Sequence, residues 1–136
     1  MNALQRQLFD LQDLKYREFH SKLMPGIEKE TIIGIRVPVL RNFVKEFRKT
    51  EDAKRFLAEL PHPYYEENNI HMMLIAQIRD YETCIEELNR FLPYINNWAT
   101  CDLPQPKCFG AHKKELLQEV HKWIASKETY TIRYGI

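Results

Sequence analysis

A chain of 136 residues fits one domain and is long enough to bury a useful core. Its 44% apolar and 12% aromatic content excludes a disordered polymer. No apolar run approaches the roughly 18 residues of a membrane-spanning helix. The net charge of +1 hides separated blocks: Arg36 to Arg55 holds seven basic against three acidic side chains, Glu59 to Arg90 two against seven, and Leu103 to Ile136 six against three. A polyanion would meet basic patches here, not a uniformly basic protein.

The N-terminal stretch, MNALQRQLFDLQDLK, sets acids and amides among its apolar positions. It lacks the pattern of a secretory or transit peptide, so the expected location is cytoplasmic. Leu4, Leu8, Leu11 and Phe19, with Leu23 beyond, predict the apolar face of one helix over Ala3 to Lys22, broken by Met24-Pro25-Gly26. The short apolar run Ile32 to Ile35 precedes Val37-Pro38, and proline suits a helix's first turn. Leu40, Phe43, Val44 and Phe47 then mark one face of an amphipathic helix whose other side carries Arg41, Lys45 and Arg48. Thr50, followed by Glu51 and Asp52, reads as the cap of the next helix, closing near Leu60.

Tyr65 to Arg79 is mostly apolar after Ile70 and reads as a buried central helix. Asp80 caps another, with Ile85, Leu88 and Leu92 facing inward. Asn96 or Asn97 starts a short helix containing Trp98 and Asp102. Pro104 and Pro106 make a loop, and Gly110 leads into a long helix carrying Leu116, Leu117, Val120 and Ile124. A turn over Ser126 to Thr129 precedes the opening of a last helix at Tyr130. No segment carries strand alternation with its turn chemistry. The expected fold is all-α, an α-solenoid of antiparallel helix pairs. The final residues Tyr134-Gly135-Ile136 fall inside a helix, which suggests a chain truncated at the C-terminus.

Most familiar catalytic patterns are missing: there is no GxGxxG, P-loop, HExxH or GxSxG. Cys84, Cys101 and Cys108 form an odd set without CxxC spacing. Cys101, Cys108 and His112 can be written as a partial metal cluster, but buried reduced thiols explain them better, and no metal or cofactor is expected. His112 and His121 have no matching carboxylate and read as surface residues. The informative stretch is Asn96-Asn97-Trp98-Ala99-Thr100-Cys101-Asp102. On a helix Trp98 and Asp102 share a face, which sets a π surface beside a lone carboxylate. Aromatic faces attract cations, and a carboxylate stabilises positive charge that develops in a transition state. The same spacing also fits a core tryptophan with an aspartate that caps a helix or pairs with a lysine.

Four pieces in order resemble the DNA alkylation repair (AlkD-like) family, whose fold is built of HEAT-like helical repeats. Ile33 to Arg41 resembles its Gly-[IV]-x-x-Pro-x-x-Arg signature. Tyr65-Glu66-Glu67 resembles the Glu-rich second repeat, Asn97-Trp98-x-x-x-Asp102 the tryptophan-to-aspartate motif, and Tyr130-x-x-Arg133 the aromatic-x-x-arginine element. The likeness spans Phe19 to Ile136 and implies that residues 1–136 form a single HEAT-like domain, the N-terminal portion of a longer member. It departs from the family where Tyr130 replaces a tryptophan and where a further tryptophan of a later repeat would lie beyond Ile136.

The resemblance implies a metal-independent, monofunctional glycosylase that releases cationic 7-methyl or 3-methyl purines from duplex DNA without drawing the base into a pocket. Asp102 would then be catalytic, Trp98 would pack against the sugar, and Arg133, with Tyr130 beside it, would hold a phosphate. Lys107, Lys113 and Lys114 are expected to contact the backbone regardless of sequence, and Arg36 and Arg41 either touch phosphates or pair with nearby acids. Duplex DNA is the expected partner, with no membrane and no obligate protein partner. Two alternatives stay open at this point: a non-catalytic helical module that binds DNA by shape and charge, and a protein-binding solenoid.

Overall fold

The computed structural model describes residues 1–136 and contains nine α-helices and no strand: α1 (Ala3–Phe9), α2 (Leu14–Lys22), α3 (Val37–Phe47), α4 (Glu51–Ala58), α5 (Tyr65–Ala76), α6 (Tyr81–Phe91), α7 (Trp98–Cys101), α8 (Lys113–Ile124) and α9 (Thr129–Gly135). Most begin where a short polar side chain can satisfy an otherwise unpaired amide. Asp13, Thr50, Asp80 and Asn97 each accept a hydrogen bond from the backbone N–H three residues on. Helix α3 has no such cap and instead carries Pro38 in its first turn.

The helices form two rows. Helices α3, α5, α7 and α9 lie side by side in that order, and α4, α6 and α8 pack against the neighbouring members of the first row. This is the α-solenoid arrangement that the succession of short-looped helices predicts. One continuous core runs through it, from Leu8 through Leu40, Ile75, Leu88 and Phe91 to Trp123 and Tyr134. No helix is long and apolar enough to cross a membrane.

Helix α5 is the axis of the stack. It is buried from Tyr65 to Ile75, including its polar first half. Glu66 is completely enclosed and accepts hydrogen bonds from the amides of Ile33 (2.8 Å), Gly34 (2.9 Å) and Ile35 (3.3 Å). Burial pushes its carboxyl up, and those three amides pull it back. Glu67 accepts from the Tyr64 amide and from Gln5. The acidic block read from composition therefore places two of its carboxylates inside the molecule, where they hold backbone.

Two expected elements differ. The single helix over Ala3 to Lys22 is two helices, because the turn between them is claimed by the 32–35 segment. The Asp13 amide donates to the Gly34 carbonyl (2.7 Å), Gln12 to that of Ile33 (2.8 Å) and Arg17 to that of Ile32 (2.7 Å). Phe19 and Leu23, read as core-facing, are exposed as a result. In α8 only Trp123 is buried, with Leu116 and Val120 half-buried beside it, while Leu117 and Ile124 face outward. The four aliphatic residues there span too wide an arc for all of them to reach one interface.

Candidate functional site

Helix α7 is a single turn, too short to hold itself together, so its neighbours fix it. The Asn97 side chain accepts from the Thr100 amide (2.7 Å), and the Thr100 hydroxyl donates to Asn69 of α5 (2.6 Å). The Cys101 thiol donates to the Tyr130 carbonyl of α9 (3.5 Å), and burial pushes that thiol up to about 11. Beneath them Tyr65 contacts His20 of α2 (3.2 Å). Two longer helices, α5 and α9, thus hold this turn through polar contacts, and α2 is tied to α5 beside it.

Trp98 and Asp102 occupy the two ends of that turn, with the Asp102 amide donating to the Trp98 carbonyl at 3.0 Å. Trp98 is 41% exposed, and its indole N–H donates to the Leu23 carbonyl at the end of α2 (3.3 Å). The indole therefore lies across the helix ends and does not fill the core. Asp102 is neither buried nor paired with a lysine. Its carboxylate accepts both arms of the Arg133 fork, Nε to Oδ1 at 3.0 Å and Nη2 to Oδ2 at 2.5 Å. Both side chains are close to half exposed, 47% for Arg133 and 46% for Asp102. The carboxylate beside it is the main reason the Arg133 guanidinium is held more firmly protonated than usual.

A groove of about 520 Å³ has its lining start at the residue after Asp102. Leu103 and Pro104, which follow Asp102, contribute lining together with Lys107, and α3 contributes Arg41 and Lys45, with Arg48 and Lys49 just past its end. Val44, Met73 and Ala76 supply apolar surface. Five cations line it against one acid, Glu46, which pairs with Lys49 (3.6 Å). Arg48 donates to Gln77 (3.3 Å), while Arg41, Lys45 and Lys107 have no acidic partner. All five are exposed, so water solvates them individually, but together they give the groove a positive potential that attracts anions.

The residues singled out from sequence divide between these features. Trp98, Asp102 and Arg133 lie together, and Tyr130 is one turn before Arg133 on α9, half buried, with its carbonyl holding α7. Lys107 lines the groove. Lys113 and Lys114 stand exposed in the first turn of α8, outside both the groove and the pair. Arg36, for which phosphate and acid were both open, pairs with Asp13 (3.4 Å) and lies over the Tyr16 ring. Arg41 is in the groove. The groove itself was missed, although the Arg41, Lys45, Arg48 spacing already put three cations on one helix side. His112, expected at the surface, is partly covered by the Tyr81 ring, stacked at 4.5 Å, whereas His121 is exposed.

These features define a helical-repeat protein with an exposed indole and an arginine-paired carboxylate on one helical turn, and a basic groove whose lining begins at Leu103, the next residue in the chain. Residues 4–136 match the family model described as DNA alkylation repair enzyme, and the chain belongs to that family. No curated protein and no solved structure gives a significant match.

Proposed function

We propose that the chain is a DNA glycosylase that hydrolyses the N-glycosidic bond of cationic alkylated purines in duplex DNA, with Asp102 as the catalytic residue. The observation that carries this reading is the solvent-facing Trp98–Asp102 turn, followed in the chain by the Leu103–Lys107 lining of a groove in which Arg41, Lys45 and Lys107 have no acidic partner. The substrate is already positive. As the C1′–N bond breaks, its electron pair passes to the purine, which leaves as a neutral base, and the sugar becomes an oxocarbenium ion. The Asp102 carboxylate stabilises that ion and orients water for addition at C1′; the water's second proton passes to the carboxylate or to solvent. No strong general acid is required, because the leaving base is neutral. Trp98 packs against the sugar, and Arg133, with Tyr130 beside it, holds a phosphate near the lesion. Arg41, Lys45 and Lys107 take backbone phosphates along the groove, and Lys113 and Lys114 extend the basic surface at the start of α8.

The test is release of 7-methylguanine from methylated duplex DNA by this protein and by Asp102→Asn. Loss of about 100-fold or more in the variant is expected, the size seen when an electrostatic stabiliser of a transition state is removed. Equal release from both, or none from either, removes the catalytic assignment. A second reading, a non-catalytic module that binds DNA by shape and charge, draws on the bidentate Arg133 pairing, which occupies both Asp102 oxygens. Duplex binding without base release would select it.

A further inference from the structure

The same pairing raises a chemical problem. A carboxylate held by both arms of a guanidinium fork gives one lone pair of each oxygen to it and has its charge offset by the cation at its mouth. In that state its pull on a sugar cation is weakened, and the Nε–Nη2 edge of Arg133 is not open to a phosphate. Each group engages the edge that the other partner would use.

We infer that DNA binding and release of the Asp102 carboxylate are one event, in which a backbone phosphate takes the Arg133 fork away from Asp102; this rests on the proposed reading of the site. Three observations support the exchange. Phosphate and carboxylate present the same bidentate geometry to arginine, so the fork passes from one to the other without losing hydrogen bonds. The pair is half exposed on both sides, and ion pairs in water are weak enough to be displaced. The backbone around it is fixed: Thr100 and Cys101 tie α7 to α5 and α9, and Thr131 and Tyr134 anchor α9 from the buried side. Only the exposed Arg133 side chain has to move. Arg133 is then a positioning residue for Asp102. The carboxylate is masked in the free protein and becomes available where a phosphate lies close enough to unmask it.

The exchange makes an unusual prediction, that removing the catalytic charge strengthens binding by way of Arg133. The affinity of the full chain for a short undamaged duplex is measured by fluorescence anisotropy across a salt series, for the wild type, Asp102→Asn, Arg133→Gln and the double variant. Asp102→Asn is expected to bind about fivefold more tightly, the scale of an exposed ion pair that no longer competes. Its salt slope should stay within about 0.3 of wild type, because the exchange gives both proteins the same Arg133–phosphate contact in the complex. Arg133→Gln should weaken binding and flatten the slope, and adding Asp102→Asn to it should bring no gain. Matching thermal melts confirm that all four fold, and Arg133→Lys, which keeps the charge but not the fork, should fall between wild type and Arg133→Gln.

If Asp102→Asn gains equally with and without Arg133, simple removal of negative charge explains it and the exchange is wrong. No gain in either background, or no duplex binding by the wild type, also overturns it. Binding that follows the cycle while methylated DNA releases no base would retain the exchange and discard the glycosylase reading.

Discussion

Glu66 is the most demanding residue in the interior, and Glu66→Gln tests why it is there. Its carboxylate is fully enclosed without a cationic partner and accepts three consecutive amides, Ile33 on one oxygen and Gly34 and Ile35 on the other. Glutamine has the same shape but one acceptor. Keeping the oxygen on Gly34 and Ile35 turns the new NH2 toward the Ile33 amide, donor against donor. That exchanges a charge-assisted bond of about 1.5–3 kcal/mol for an orphaned buried N–H costing about 1–3 kcal/mol. Lower desolvation of the neutral amide offsets part of the loss. A net destabilisation of about 3 kcal/mol follows, which at about 2 kcal/mol per molar lowers the urea midpoint by roughly 1.5 M. Glu66→Leu, which leaves all three amides unpaired, should be worse than Glu66→Gln. Equilibrium urea unfolding followed by circular dichroism checks both. A Glu66→Gln midpoint within about 0.3 M of wild type, or a leucine variant as stable as the glutamine one, would refute the claim that the acid is retained for those amides.

The same segment predicts a severe effect at Gly34, whose φ is +93° and whose added Cβ would lie 2.4 Å from the Cβ of Arg17. Gly34→Ala should cost about 3 kcal/mol or more, read as a fall in Tm, because neither the backbone angle nor the Arg17 main chain can give way. The buried histidines set an acid limit. His71 is enclosed between His62 and Phe91, and burial drives it down to about 3 and His62 to about 4. The unfolded chain therefore takes up these protons first, near the ordinary 6.5, so stability falls as pH drops from about 6.5 toward 4. His71 alone should account for about 2 kcal/mol at pH 5, and His71→Phe should flatten the profile measured by urea unfolding at stepped pH. In the groove, Lys45→Gln and Lys107→Gln should each weaken duplex binding at low salt and reduce the logarithmic salt slope by about 0.9; slopes unchanged in both would place the duplex elsewhere.

Helix positions and most caps were legible because they depend on local rules. Thr50, Asp80 and Asn97 cap the helices they were expected to cap, and the stripes of α3 and α6 face inward as their periodicity requires. The failures are all long-range. The break after Asp10 has a local sign in Asp13, which caps α2, but it is held open by carbonyls of the 32–35 segment some twenty residues away. Trp123 was overlooked in favour of Leu117 and Ile124 because an indole counts as core only when its N–H finds a partner, here Asn89 at 2.7 Å from another helix. The candidate site follows the same division. Trp98 and Asp102 are one turn apart by simple spacing, but the Arg133 fork on that carboxylate depends on α7 and α9 being neighbours.

That dependence explains why the polar residues of α5 matter as much as the exposed ones. Apolar packing alone orients a one-turn helix poorly, since hydrophobic contacts have no direction and α7 buries only Thr100 and Cys101. Hydrogen bonds do have direction, and two of those that fix α7 end on longer helices: Thr100 on Asn69, and Cys101 on the Tyr130 carbonyl. A polar residue such as Asn69 inside the central helix costs stability relative to an aliphatic one unless its partner is in place, so the native register of α7 is the arrangement that satisfies it. The buried Asn69 of α5 and the Tyr130 carbonyl of α9 are therefore what hold an exposed indole and an exposed carboxylate in one orientation on so short a helix.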